Sequence, residues 1–519
     1  MTQFSIKRRQ LLAGIAAFSA LPAVGLSSTS VFAQAAAPVA GGILKISHST
    51  RVASLCIMQT SGAAEYLIGD MLYSGLTRMG MDMAPMPDLA TEWSADTEAK
   101  VFTFKLRPGV TFHDGSPFTS KDVVATYQAI LKPETASPAR SVLNGIADIA
   151  APDELTVVIT LKNSYADFPL ALTHPNARIF SAKALAGPIE ALATQANGTG
   201  PFKQKTYDSA RLTTLVKNEA YYADKKPYLD GVELHYFPDL AAETSNYLSG
   251  ATDAMLEVQQ ADFARIAAAK GSKGQRVPSG RFVNIVMRAD QKPFDDIRVR
   301  QAMAMAVDRQ TLVDIVLEGL GVPAADTNIS KQYRFFADVP ETTYDPVASK
   351  KLLAEAGYPN GIKIPLVCSN RPAIRSQVGI AVKEMAAAAG FDIEVQTIPH
   401  DTYLANVWRK GNFYVGYWGM QTNEDAALTL LFTSDAAFAD TAWNNKTFDG
   451  LVAKGRTELD PEKRKAIYAE AQQLMAKEKP SVLPMFQDVL TASRDVVQNW
   501  TCHPMSKNFY VEDVWLKRA

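Results

Sequence analysis

TYDPVASKKLLAEAGYPNGIKIPLVCSNRPAIRSQVGIAVKEMAAAAGFDIEVQTIP, residues 343–399, changes its hydrophobic period from segment to segment. Asp345 followed by Pro346 reads as a helix start, because the carboxylate accepts a free backbone N–H and proline in the first turn has none to lose. Gly357 ends that helix, since glycine takes the left-handed conformation there without strain. IKIPLVCS (362–369) then reads as a strand, the run from about Ala373 to Ala389 as a helix stopped by Gly390, and FDIEVQTIP (391–399) as a second strand. Strand, helix and strand in succession make a βαβ unit, so the spacing predicts an α/β fold.

Working toward the N-terminus, GGILKIS (41–47) alternates like a strand, and VFTFKLRPG (101–109) is a strand ended by Pro108 and Gly109. Thr119 and Asp122 have the spacing of a capping box, which predicts a helix that stops by Pro133. Between them, His113 and Asp114 invite a catalytic reading. Asp114 and Gly115 are also the residues that a turn between paired strands prefers, and a turn explains both without a nucleophile. GTGPF (198–202) is read as a turn in which Gly198 and Gly200 supply positive φ ahead of Pro201. GLGVPA (319–324) mimics a dinucleotide loop, but Pro323 blocks the helix that would receive the phosphate. Phe294, Ile297, Val299, Met303 and Val307 follow near-helical spacing and read as core.

The chain has 519 residues, 47% hydrophobic and 21% charged, the composition of a large globular protein. Lys7, Arg8 and Arg9, the apolar run 11–26 and small residues before Gln34 form an export signal, with the cut placed after Ala33. Paired arginines followed by Gln10, Leu11 and Leu12 favour the twin-arginine route, with the general secretory route left open. Losing those three cations leaves 50 basic against 54 acidic residues, a net charge of −4 that offers nothing to nucleic acid. The expected location is the periplasm. Cys56, Cys368 and Cys502 are too far apart in sequence for a metal motif and allow at most one disulfide. No hydrolase, zinc-protease, P-loop or CxxC pattern occurs, so no catalytic residue, metal or cofactor is expected.

Five segments then carry a resemblance: LATEWSADTEAKVFTFKLRPGVTFHDGSPFTSKDVV (89–124), GTGPF (198–202), NEAYYADKKPYLDGVELHYFPD (218–239), KPFDDIRVRQAMAMAVDRQTLVD (292–314) and YDPVASKKLLAEAGYPNG (344–361). In this order they resemble the extracellular solute-binding proteins of the peptide and nickel class (family 5), which serve ABC importers. The resemblance implies a two-lobed clamp with an accessory domain inserted in the first lobe. Lobe I would combine 41–80, 195–285 and 487–519, the accessory domain 81–194 and lobe II 286–486, with hinge strands near 281–289 and 482–490. It also implies a monomeric receptor that hands a peptide or other small polar solute to an inner-membrane permease with its ATPases. A periplasmic peptidase and a sensor without a permease are the alternatives.

NFYVGYWGMQTNEDAAL (412–428) is the segment richest in ligand-binding groups, a strand running into a polar loop. Tyr417 and Trp418 are strand neighbours that face opposite ways, and Trp418 is expected in the cleft. Asn423 can donate and accept, and Asp425 can hold a cation. Peptide-binding relatives carry an Asp for the α-ammonium just after this run, where this chain has Met420. A thioether cannot pair with an ammonium ion, so a pocket that does not require a free α-amine is expected, which puts free-amine peptides in doubt. Arg371 matches, by resemblance, a position that holds a ligand carboxylate.

Overall fold

The computed structural model describes residues 37–517; the expected export signal over 1–33 lies outside them. The βαβ reading holds. Ile362–Ser369 and Phe391–Ile398 are parallel neighbours joined by the helix Ile374–Ala387. The helix Pro346–Glu355 starts on the Asp345 carboxylate, which accepts the Ala348 N–H at 2.8 Å. Gly357 and Gly390 sit at φ 102° and 89°, the left-handed turns that end their helices.

These strands belong to one edge of an 11-stranded sheet. From that edge the order is Phe391–Ile398, Ile362–Ser369, Phe413–Trp418, Ser272–Met287, Ser481–Arg494, Ala254–Met255, Ile43–His48, Gly231–Tyr236, Leu212–Lys217 and Phe202–Asp208. Gly321–Pro323, the dinucleotide-loop mimic, is the remaining strand and pairs with Ser481–Arg494. The two long central strands, of 16 and 14 residues, run antiparallel and belong to both halves of the sheet. One end of the first pairs with Phe413–Trp418, and the far end of the second pairs with Ala254–Met255. They cross from one half of the sheet to the other and overlap the segments 281–289 and 482–490. Their register shifts between Val277 and Arg281, an irregularity that bends a strand and leaves residues out of the ladder.

Two clusters of buried apolar residues lie each within one half, and a third joins Met79, Met83, Leu170 and Met505 to residues of the second half. Leu44, Ile46, Val232 and Leu234 form one core, and Val283, Ile285, Met303, Leu366 and Val378 another. Phe282, Leu428, Tyr468 and Phe486 pack on the opposite face of the second half. Within 81–194, Ala90–Ala95, Val101–Leu106, Thr156–Leu161 and Ile146–Asp153 form a separate four-stranded sheet in that order. Its Phe102, Phe104 and Val157 join the core of the first half. The helix Ser120–Leu131 carries the capping box, with the Thr119 N–H donating to Asp122 at 2.8 Å.

Gly198 and Gly200 differ from their sequence reading: neither has positive φ. A Cβ on either would lie 2.1 Å or 2.5 Å from backbone atoms of Leu72, so glycine is needed for close approach of two chain segments. His113 and Asp114 turn a corner. The Asp114 carboxylate accepts from the Ser116 hydroxyl and N–H, and the His113 Nε2 lies 3.2 Å from the Gly200 carbonyl. Burial holds the His113 imidazole down at about 4. All three cysteines are buried and free. Among the described residues no helix is long and apolar enough to cross a membrane, and no group of His, Cys, Asp and Glu could hold a metal.

Candidate functional site

A cavity of about 350 Å³ opens where the crossing strands pass between the halves. Arg281 and Gln487 line it from the crossing strands, Glu257 from the segment before the helix Gln260–Ala267, and Tyr417 and Gln377 from the second half. Its size suits a small solute, and its walls come from both halves. Recesses of about 490 Å³ beside His113 and about 380 Å³ beside Phe294 touch neither crossing strand.

The bend in the first crossing strand sets the direction of Arg281. The Ser279 hydroxyl accepts the Arg281 N–H and donates to the Gln487 carbonyl, both at 3.0 Å. The Gly280 N–H donates to the Met420 sulfur at 3.2 Å, and a Cβ on Gly280 would lie 2.8 Å from Met420 Cγ and 2.9 Å from the Tyr333 ring. Only glycine admits that packing. The half-buried Arg281 guanidinium donates to the Ser506 hydroxyl at 3.4 Å and, among the described residues, has no ion pair. Glu257, also half-buried, has neither a hydrogen bond nor an ion pair among them. Asp488 differs: it is buried and accepts from Arg276 Nε at 2.8 Å. Glu318 is exposed and accepts from Gln260 at 3.3 Å. Behind Glu257, burial lowers the His48 pKa and favours its neutral form.

The structure separates the six residues singled out in the sequence. Tyr417 reaches the cavity, and its hydroxyl donates to Gln487 Oε1 at 3.4 Å. Trp418 is turned to the opposite face, against Trp408 and Phe438 at centroid distances of 6.2 Å and 5.8 Å. The alternation of the strand is as read: Tyr417, paired with Val283, faces this cavity, and Trp418, paired with Phe282, faces away from it. Met420 is 3% exposed and packs over Gly280. Asn423 caps the helix Glu424–Leu431, and its amide donates to the Tyr165 hydroxyl and the Asp167 carboxylate. Asp425 is buried and accepts from Arg456 Nε at 3.0 Å. Burial raises its pKa, and the adjacent guanidinium opposes that shift. Arg371 is exposed beside Pro372, which lines the cavity. Asn423 and Asp425 therefore spend their polar atoms on protein groups, and Met420 on the strand bend.

Arg281, Glu257 and Gln487 escaped the sequence reading. The available signal was a charged side chain at the head of the apolar run FVNIVM (282–287), just after Pro278, Ser279 and Gly280.

Known proteins similar to this chain include the following three. The glutathione-binding protein GsiB of Salmonella paratyphi A is 27% identical over 446 residues, 83% of this chain and 87% of its own. AgaA from A. tumefacien R10, solved in complex with agropinic acid, is 27% identical with a TM-score of 0.72, over 92% of this chain and 99% of its own. The periplasmic murein tripeptide binding protein MppA, in its unliganded open form, is 21% identical with a TM-score of 0.82, over 92% of this chain and 98% of its own. The pattern of the bacterial extracellular solute-binding proteins, family 5, matches residues 84–440, and this chain belongs to that family.

Proposed function

We propose that the chain is the exported, periplasmic receptor of an ABC importer, taking a peptide or peptide-like solute into the cavity at the crossing strands and delivering it to the permease. The observation that carries this reading is the cavity itself, about 350 Å³ and walled by groups from both halves of one sheet. A solute touching both halves stabilises their approach, because it prefers the arrangement in which both sets of contacts are made. We place the lobe boundaries near 286 and 486, a reading supported by the crossing strands that pass there. Tyr417 supplies a flat face with a polar edge, and Arg371 stands at the rim beside Pro372. With Met420 buried in apolar packing, no negative charge stands where the sequence comparison sought an ammonium partner.

Native mass spectrometry of protein purified from its own periplasm tests the proposal. The expected result is a stoichiometric small molecule that leaves on mild denaturation. Protein that stays unloaded, and binds none of a panel of peptides, opines and organic acids in calorimetry, would refute it.

A further inference from the structure

The charges in the cavity wall are not balanced pairwise, and this gives the solute a chemical description. Asp488 is neutralised by Arg276, and Glu318 lies exposed at the mouth. Two opposite charges remain on the wall without ion-pair partners among the described residues: Arg281 on the bent crossing strand and Glu257 on the first half. They do not pair with one another within 4.0 Å. A half-buried guanidinium that makes one 3.4 Å hydrogen bond keeps most of its five N–H donors for a planar anion. A half-buried carboxylate with no donor keeps its acceptors for a cation.

We propose that the cavity recognises a zwitterionic, peptide-like solute whose carboxylate docks on Arg281 and whose cationic end is held by Glu257. The inference rests on the receptor reading above and adds the residues that read the two charged ends of the solute. Glu257 supplies the negative charge that Met420 does not, from the other side of the cavity. On this proposal the ammonium partner is Glu257, where the sequence reading had left none. Arg281 also ties recognition to the hinge. Its direction is fixed by Ser279 bound to Gln487 on the second crossing strand and by Gly280 under Met420. An anion seated on Arg281 therefore bears on the place where the two halves meet.

The test uses calorimetry on the mature protein with glutathione and with alanyl peptides of two to four residues, each also as its C-terminal amide and its N-acetyl derivative. For the best-bound peptide, Arg281→Gln should weaken binding roughly 30-fold or more, the range of an interfacial charge pair truncated on one side. Amidation should weaken binding to the wild type, yet make little further difference to Arg281→Gln. Acetylation should behave in the same way with Glu257→Gln. Arg281→Lys, which keeps the charge and loses the fork, should fall between the wild type and Arg281→Gln, and unfolding midpoints confirm that each variant is folded. If amidation costs Arg281→Gln as much as it costs the wild type, or if Arg281→Gln binds as the wild type does, the assignment of Arg281 is overturned. The corresponding results with acetylation overturn Glu257. Failure of every zwitterion in the panel to bind the wild type also overturns the proposal, while a small molecule found by native mass spectrometry would leave the receptor reading standing.

Discussion

Glu424 is 1% exposed and accepts the Phe335 N–H at the start of the helix Glu424–Leu431. Burial pushes its carboxyl up from 4.5 to about 7. Between those values the folded protein holds a proton that the unfolded chain has released, so stability is lost as pH rises through that window. Glu424→Gln keeps the acceptor and cannot ionise. Its stability relative to the wild type should grow between pH 5 and pH 8 by on the order of 1–3 kcal/mol, read from unfolding midpoints at the two pH values. A difference that does not change with pH would count against a buried, titrating Glu424. At this scale the sequence was a poor guide to the site. Asn423 and Asp425 look like free ligand groups in a polar loop, but their partners Asp167 and Arg456 come from distant segments that no local pattern announces. Arg281 was hidden for the same reason, since its direction depends on Met420, far along the chain, packing over Gly280.

Elements were far more legible, because their causes are local. The βαβ unit at 343–399 follows from the Asp345 cap, the glycine stops and the change of hydrophobic period, and all of these lie within the segment. The two glycines of GTGPF were assigned to the right turn for the wrong cause, since close approach to Leu72 is a tertiary fact. The bend of the first crossing strand was likewise invisible, as it consists of a register shift against a strand about 200 residues away. It can be tested directly. Gly280→Ala puts a methyl 2.8 Å from Met420 Cγ and 2.9 Å from the Tyr333 ring. The expected cost is about 1–3 kcal/mol of stability, as for other overpacked sites. Ligand affinity should fall as well, because Arg281 is re-aimed. Stability lost with unchanged affinity would separate the bend from recognition.

At the scale of the whole molecule, the crossing strands are not the only tie between the halves. Asp167, 4% exposed and within the segment 81–194, accepts from Arg464 Nη1 at 2.7 Å and from Asn423 Nδ2 at 2.6 Å. Arg334 approaches it at 3.5 Å. All three partners belong to 286–486. Asp167→Asn leaves the buried Arg464 without its counter-charge, and should cost roughly 3–5 kcal/mol. X-ray scattering should then give a larger radius of gyration for the ligand-free variant than for the ligand-free wild type. An unchanged profile and an unchanged midpoint would show that this contact holds nothing together. The wild type itself should contract when its solute is added. The clasp at Asp167 also constrains how it contracts. A rigid body fixed at one point can turn about any axis through that point, whereas one fixed at two separate points turns only about the line that joins them. While the crossing strands and the Asp167 clasp both hold, the second half can turn only in directions that strain neither.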